Sequence, residues 1–208
     1  MSIDPDPRAM LSILAPDPTP RLTTPRLLLR GARSRDYAAW ADLRRRSRQH
    51  LQPFEPRWSE ADLAPHVFAA RIRRGREEAR AGTDFSFLVF RLADRREELA
   101  GGITLSNIRR RASQSGTLGY WMGEDFTAQG LMSEAVGAVV DHAFSTLGLH
   151  RLHAAIMPHN APSRRVLEKN GFREEGYAES YLQIDGAWRD HVLFGLVRDH
   201  YLAAKPRH

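Results

Sequence analysis

Cysteine is absent from the 208 residues. That absence excludes disulfides, thiolate metal ligands and a cysteine nucleophile. Lysine is almost absent too: of 31 basic residues, all but Lys169 and Lys205 are arginine, a skew that genomic composition alone can produce. No apolar run approaches the roughly 20 residues that span a bilayer. The N-terminus lacks a basic start followed by an apolar core, so no secretory signal is read. A cytoplasmic protein with no membrane partner is expected. Acidic residues are outnumbered, leaving a formal net charge of +6. A basic surface attracts phosphate-rich partners: nucleic acid, ribonucleoprotein or a nucleotide cofactor. Clusters at Arg44-Arg45-Arg46, Arg71 to Arg80 and Arg109-Arg110-Arg111 are candidates for ribosome or RNA contact, and each also reads as a solvated face.

The remaining composition, 42% hydrophobic and 27% charged, is that of one ordinary globular domain with a real core. Residues 1–20 hold five of the twelve prolines and are expected to form a flexible leader. The domain is expected over 21–200, with 201–208 as a C-terminal tail. Leu22 and Leu27-Leu28-Leu29 predict a first strand. Ser34 is a candidate cap for a helix over Tyr37 to Leu43, and Ser59 opens a second helix to about Arg80. Between them, Pro53, Phe54, Glu55, Pro56 and Trp58 form a stiff, aromatic loop. Strands follow at Phe85–Phe90, Ile103–Leu105 and Leu118–Met122, with turns at Asp94–Glu98 and Arg109–Ser115. Apolar residues from Leu131 to Leu147 recur at helical spacing, and Gly148 is a natural stop. Leu152, Ala154 and Ile156 alternate as a strand. Asn160 and Pro162 start a short helix ended by Asn170-Gly171. Tyr177–Ile184 and His191–Val197 are two last strands, with Asp185-Gly186 as the turn between them. The class is mixed α/β, with no internal repeat.

The most informative stretch runs from Gly119 to Ala135. A strand ends at Met122, a loop carries Gln129-Gly130, and a strongly helical segment begins at once. No acidic side chain occupies Ala128 to Ser133. Such a joint offers free backbone N–H groups at a helix N-terminus, a ready anion site, most often for a phosphate. Glu134 reads as a first-turn carboxylate favoured by the helix dipole. His150 and His153 suggest a metal site only superficially. Strand alternation turns them apart and no carboxylate or cysteine completes a set, so no metal is expected.

This element order, with the Gln-Gly turn, resembles the GNAT N-acetyltransferase superfamily over nearly all the chain after about residue 21. The family's phosphate-binding pattern is Arg/Gln-x-x-Gly-x-Gly/Ala. With Gly130 on the central glycine, Thr127 and Met132 depart from it: Thr127 removes a long polar side chain and Met132 makes the turn bulkier. Asn160-Ala161-Pro162-Ser163 to Gly171-Phe172 is similar to the family's Asn-x-x-Ser signature. The tail Tyr181 to Leu193, Met157-Pro158-His159-Asn160, Arg21 to Leu27 and His50 to Pro56 resemble the RimJ type of ribosomal-protein alanine N-acetyltransferase.

The resemblance implies a GNAT fold. This is a single mixed, strongly twisted sheet of about seven strands with splayed central strands and about four helices. It implies acetyl-CoA as co-substrate, with pantetheine along Tyr120, Trp121 and Met122. Pyrophosphate would lie on the amides of Ala128, Gln129, Gly130, Leu131, Met132 and Ser133. Asn160 would hold the pantetheine arm and Ser163 would stabilise the departing thiolate. Asn160 reads equally as a helix cap and Ser163 as a first-turn residue. Many relatives carry a tyrosine acid seven residues after the asparagine; here that residue is Leu167. Glu55, Glu124, Asp185 and Asp190 are candidate bases by type. Glu55, locked between prolines, is the first choice for catalysis and acceptor binding, beside the alternative of an exposed loop glutamate. Phe54, Tyr181, Trp188 and Asp190 complete the acceptor side, although Trp188 could equally be core. The acceptor implied is a ribosomal protein N-terminus. A small-molecule amine, or a ribosome- or RNA-binding module without activity, remains open, as does monomer against homodimer.

Overall fold

The structure, a computed structural model, describes residues 17–93 and 96–204. Residues 1–16 of the expected leader, the tip of the Asp94–Glu98 turn and residues 205–208 lie outside the described residues. The elements in chain order are β1 (Leu22–Thr23), β2 (Leu27–Arg30), α1 (Tyr37–Arg46), α2 (Arg48–Leu51), α3 (Pro65–Ala81), β3 (Phe85–Ala93), β4 (Arg96–Arg109), β5 (Ser115–Met122), α4 (Leu131–Asp141), β6 (Arg151–Ile156), α5 (Ala161–Lys169), β7 (Arg173–Ile184), β8 (Ala187–Val197) and α6 (Arg198–Ala204). All eight strands form one sheet in the order β1-β2-β3-β4-β5-β6-β8-β7. Every pairing is antiparallel except β5 with β6.

The mixed sheet agrees with the fold implied by the sequence, and the eighth strand is a local matter. The Leu22–Leu29 segment doubles back at Thr24, whose N–H donates to the Leu27 carbonyl at 2.9 Å, so one expected strand is two. The second helix also starts late. Ser59 and Asp62 close a capping box on a single 3₁₀ turn, Glu60–Leu63. Pro65 then opens α3, because a proline's missing N–H is tolerated only in a helix's first turn. At the hairpin between β7 and β8, Asp185 and Gly186 both have positive φ, 45° and 80°. That is the backbone twist an antiparallel two-residue turn needs. The last helix, α6, runs across residue 200 and packs the Tyr201 ring 5.5 Å from that of Phe144.

Central strands are buried on both faces: Phe87, Leu88, Val89 and Phe90 of β3 are all buried despite their alternation. Helix α4 is apolar almost all round, with Leu131, Met132, Ala135, Val136, Val139 and Val140 buried. Each such large aliphatic side chain is worth roughly 1.5–3 kcal/mol when fully buried. The N-terminus of α4 is therefore held in place by its own core face. Glu134 adds a polar clamp. It accepts from Thr24 Oγ1 at 2.6 Å, from the Arg26 N–H at 3.1 Å and from Arg26 Nε at 2.6 Å. Burial pushes this carboxyl up, but the hydrogen bonds from Thr24 and Arg26 outweigh it and hold it below its ordinary value. At the sheet edge, the buried Arg30 guanidinium forms a fork with Asp36 at 2.7 and 2.9 Å.

Two stability experiments follow. Removing one partner of a buried ion pair leaves the other charge unpaired, so Asp36→Ala should cost about 3–5 kcal/mol in urea unfolding. Glu134 has a lowered carboxyl value in the folded state. Its stabilisation is present above the unfolded value and is lost as pH falls through the folded one. Between pH 7 and pH 3 the urea midpoint of the native chain should therefore fall further than that of Glu134→Gln.

Candidate active site

The β5–β6 ladder is short. Ser115 to Leu118 pair with Arg151 to Ala154, and there the pairing stops. Beyond it, β5 stays with β4 as far as Met122, while β6 follows β8 as far as Ile156. The two strands diverge, and among the described residues no strand pairs with the inner edge of Gly119–Met122. The gap is a cleft of about 310 Å³ whose walls include Gly119, Tyr120, Ala155, Asn160, Ser163 and His191. An unpaired strand edge is a row of N–H and C=O groups that an extended, amide-bearing ligand can pair with.

The β5–α4 joint adjoins this edge. Ala128 and Gly130 both take left-handed conformations, φ 58° and 75°, which swing the chain into the helix. The first bond of α4 is from the Glu134 N–H to the Gly130 carbonyl at 3.2 Å. Among the described residues, no hydrogen bond takes up the N–H groups of Ala128 to Ser133. The side chains play other parts than the amides. Thr127 Oγ1 donates to the Glu124 carbonyl at 2.8 Å, and Gln129 Nε2 to the Asp125 carbonyl at 2.9 Å. Both brace the loop. Leu131 and Met132 point into the core, 2% and 7% exposed, so they can offer a ligand only their main chain. The expected bulk of Met132 is therefore not at the turn. Sequence reading missed Arg26, whose guanidinium bridges the Gln129 carbonyl at 3.0 Å and the Glu134 carboxylate at 2.6 Å beside the amides.

Across the cleft, Asn160 caps α5 by accepting the Ser163 N–H on Oδ1 at 3.1 Å. The bland capping role is thus filled, while Asn160 Nδ2 has no partner among the described residues. Ser163 Oγ lies 2.7 Å from the Tyr120 hydroxyl, which is also 3.2 Å from the Ser163 carbonyl. Leu167 is fully buried and belongs to the core, not to the cleft. The phenol that faces Ser163 comes instead from β5, and burial pushes it up to about 12 despite the hydrogen bond from Ser163.

The acceptor-side residues are divided. Phe54 lines the cleft and packs at a tilt against His159, with ring centroids 5.6 Å apart. Glu55 does not line it. Its carboxylate is gripped by Arg44 at 2.7 and 2.5 Å and by Trp58 Nε1 at 3.2 Å. The Arg44 guanidinium in turn lies over the rings of Trp58 and Trp121, 4.7 and 4.9 Å from their centroids. Glu55 therefore anchors its loop to α1, and its carbonyl accepts the Asp185 N–H at 2.9 Å. Asp190 accepts from Tyr177 at 2.5 Å and from the Ser180 N–H at 2.9 Å. Those two bonds, the phenol's first, hold its carboxyl below the ordinary range. Asp185 and Asp190 share the wall of a second, larger hollow of about 590 Å³ with Gln52, Pro53 and His159. Trp188 is 64% exposed and is no part of the core. Neither it nor Tyr181 lines either cavity. Tyr181 does lie 5.6 Å from the ring of His191. His191, buried in the cleft wall, faces the Arg189 carbonyl through Nδ1 at 3.0 Å. A carbonyl only accepts, so Nδ1 carries the proton. Of the arginine clusters, Arg44-Arg45-Arg46 is spent internally, on Glu55, Glu60 and the pair Asp42 and Asp125.

Known proteins share this fold. The acetyltransferase (GNAT) domain family matches residues 26–173. The chain is 38% identical over 179 residues to the ribosomal protein uS5 alanine N-acetyltransferase of Escherichia coli (strain K12), covering 86% of this chain and 91% of that protein. Among solved structures, RimJ of Mycobacterium smegmatis in complex with a CoA-disulfide superposes with a TM-score of 0.78 at 34% identity, over 89% of this chain and 93% of that one. The ribosomal-protein-S5-alanine acetyltransferase of Vibrio fischeri gives 0.79 at 32% identity, over 90% of this chain and 100% of that one. The splayed sheet, the amide-lined turn and these matches lead to one conclusion: the chain belongs to the GNAT family of acetyltransferases.

Proposed function

We propose that this chain transfers the acetyl group of acetyl-CoA to the N-terminal α-amine of a ribosomal protein beginning with alanine, by direct attack on the thioester. One observation carries the reading. The cleft opens where β5 parts from β6, on the strand whose chain leads into a turn with unclaimed amides, and it shares Met157 with the hollow walled by Asp185 and Asp190. The pyrophosphate sits on the N–H groups of Ala128 to Ser133, with Arg26 beside it. Pantetheine lies along the free edge of Gly119–Met122 and takes a hydrogen bond from Asn160 Nδ2. Asp190 in the larger hollow attracts the acceptor's ammonium group, whereas Asp185 is paired with Arg57. Glu55 acts on the acceptor through the loop it anchors.

In the reaction the neutral amine attacks the thioester carbonyl, and a C–N bond forms. A main-chain N–H of β5 steadies the oxyanion. The C–S bond then breaks, its electron pair stays on sulfur beside Ser163, and the amine proton leaves to water. Without cysteine there is no thioester intermediate on the enzyme. The similarity to enzymes named for ribosomal-protein alanine supports the acceptor and the cytoplasm as the place of reaction.

The donor site is tested at Gly130. A glutamate there adds a carboxylate where the phosphates must approach, at φ 75°. Asparagine tolerates that conformation and adds no charge. Calorimetry should show Gly130→Glu weakened for acetyl-CoA by about tenfold or more, about 1.4 kcal/mol, with Gly130→Asn close to the native chain.

The acceptor is tested with two peptides, one with a free N-terminal alanine and no lysine, the other N-terminally blocked with one internal lysine. At pH 7 an α-amine needs about 1 kcal/mol to lose its proton and lysine about 4.6 kcal/mol. A site without a strong base should acetylate the first peptide faster, and faster than a panel of small amines. Preferential acetylation of the lysine peptide or of a small amine would replace the proposed acceptor.

A further inference from the structure

Tyr120 and Ser163 are 43 residues apart in the chain and meet across the cleft. The Tyr120 hydroxyl has one proton and two neighbours, the Ser163 carbonyl at 3.2 Å and Ser163 Oγ at 2.7 Å. The carbonyl can only accept, and the two hydroxyls can each donate or accept. Two arrangements follow. In one, Tyr120 donates to the carbonyl and Ser163 donates back to the phenol oxygen, so the serine proton is turned inward. In the other, Tyr120 donates to Ser163 Oγ, and the serine proton is released toward the cleft. An anion in the cleft selects the second arrangement, because an anion accepts and cannot donate. The serine backbone cannot drift meanwhile, because Asn160 Oδ1 holds its N–H. Burial keeps the phenol protonated across the neutral range, so it remains a donor.

The geometry points to Tyr120 as the positioning residue for Ser163: its phenol donates to Ser163 Oγ and aims the serine O–H at the sulfur of departing CoA. This rests on the acetyl-CoA reading given above. When the C–S bond breaks and the electron pair stays on sulfur, Ser163 donates a hydrogen bond to the thiolate, and Tyr120 backs that donation. Both residues keep their protons, and the thiolate leaves or is protonated by water. The pair lowers the energy of charge on sulfur without acting as an acid.

The state it acts on can be measured directly, because a CoA thiolate absorbs in the ultraviolet where the thiol does not. Bound CoA is titrated on the native chain, Tyr120→Phe, Ser163→Ala and the double variant, with turnover measured on each. Tyr120→Phe should raise the thiol pKa of bound CoA by about half to one unit. It should lower kcat by about tenfold with KM for acetyl-CoA nearly unchanged, the pattern of an interaction made mainly in the transition state. The double variant should be no slower than Ser163→Ala, because the phenol acts through the serine. A native chain that fails to bind CoA overturns the acetyl-CoA reading and this inference with it. A native chain that binds CoA and shows the same thiol pKa and kcat in Tyr120→Phe overturns this inference alone. So does a Tyr120→Phe loss that adds in full to that of Ser163→Ala.

Discussion

The site depends on a parallel ladder that ends after Leu118 and Ala154. A sheet normally hides its backbone groups by pairing every strand with the next. Here β4 carries β5 one way and β8 carries β6 the other. Each of the diverging strands keeps an outer partner, so the gap costs only the hydrogen bonds on the inner edges. Those unmade bonds are the binding capacity of the cleft: an extended ligand with amides of its own can complete them. A fully zipped β5–β6 pair would be a sounder sheet with no site.

What surrounds the gap keeps it open. The apolar faces of α4 seat that helix against the sheet, and its first turn is clamped to the β1–β2 turn through Glu134 and Arg26. The amides of Ala128 to Ser133 therefore sit at a fixed place at the start of α4. The amides of the turn are unclaimed among the described residues, and its side chains do other work. Thr127 and Gln129 brace the loop and Met132 fills the core, and none of these duties needs the residue that the family pattern names.

The other end is organised by ion pairs. The Arg44–Glu55 fork between two tryptophans fixes the Pro53–Pro56 loop against α1. That loop supplies Phe54 and Pro56 to the cleft wall. A carboxylate held by a guanidinium is poorly placed to take a proton: Glu55 is held by Arg44 and Asp185 by Arg57, so among the described residues Asp190 is the carboxylate of the larger hollow without a guanidinium partner. Asp190 also fixes an irregular stretch of β7 through Tyr177 and Ser180, where pairing with β8 shifts register between Ala178 and Leu182.

Local chemistry was legible in the chain itself. The glycine that turns into α4, the Asn160 cap, the Asp185-Gly186 hairpin and the alternation of β6 follow from short-range preferences that tertiary packing did not override. The Leu22–Leu29 segment and the start of α3 were misplaced by a few residues, because a single turn at Thr24 and a proline at position 65 outweigh hydrophobic pattern. Partnerships between distant residues were not legible. Arg26 meets Glu134 across 108 residues, and Tyr120 meets Ser163 across 43. Glu55, which looked free between its prolines, is claimed by Arg44. The sequence by itself determined most elements, the glycine turn into α4 and the candidate helix cap, since those depend on backbone geometry within a few residues. Only the tertiary structure decided which side chains face the cleft and which are consumed in holding it, because that depends on where β5 and β6 part.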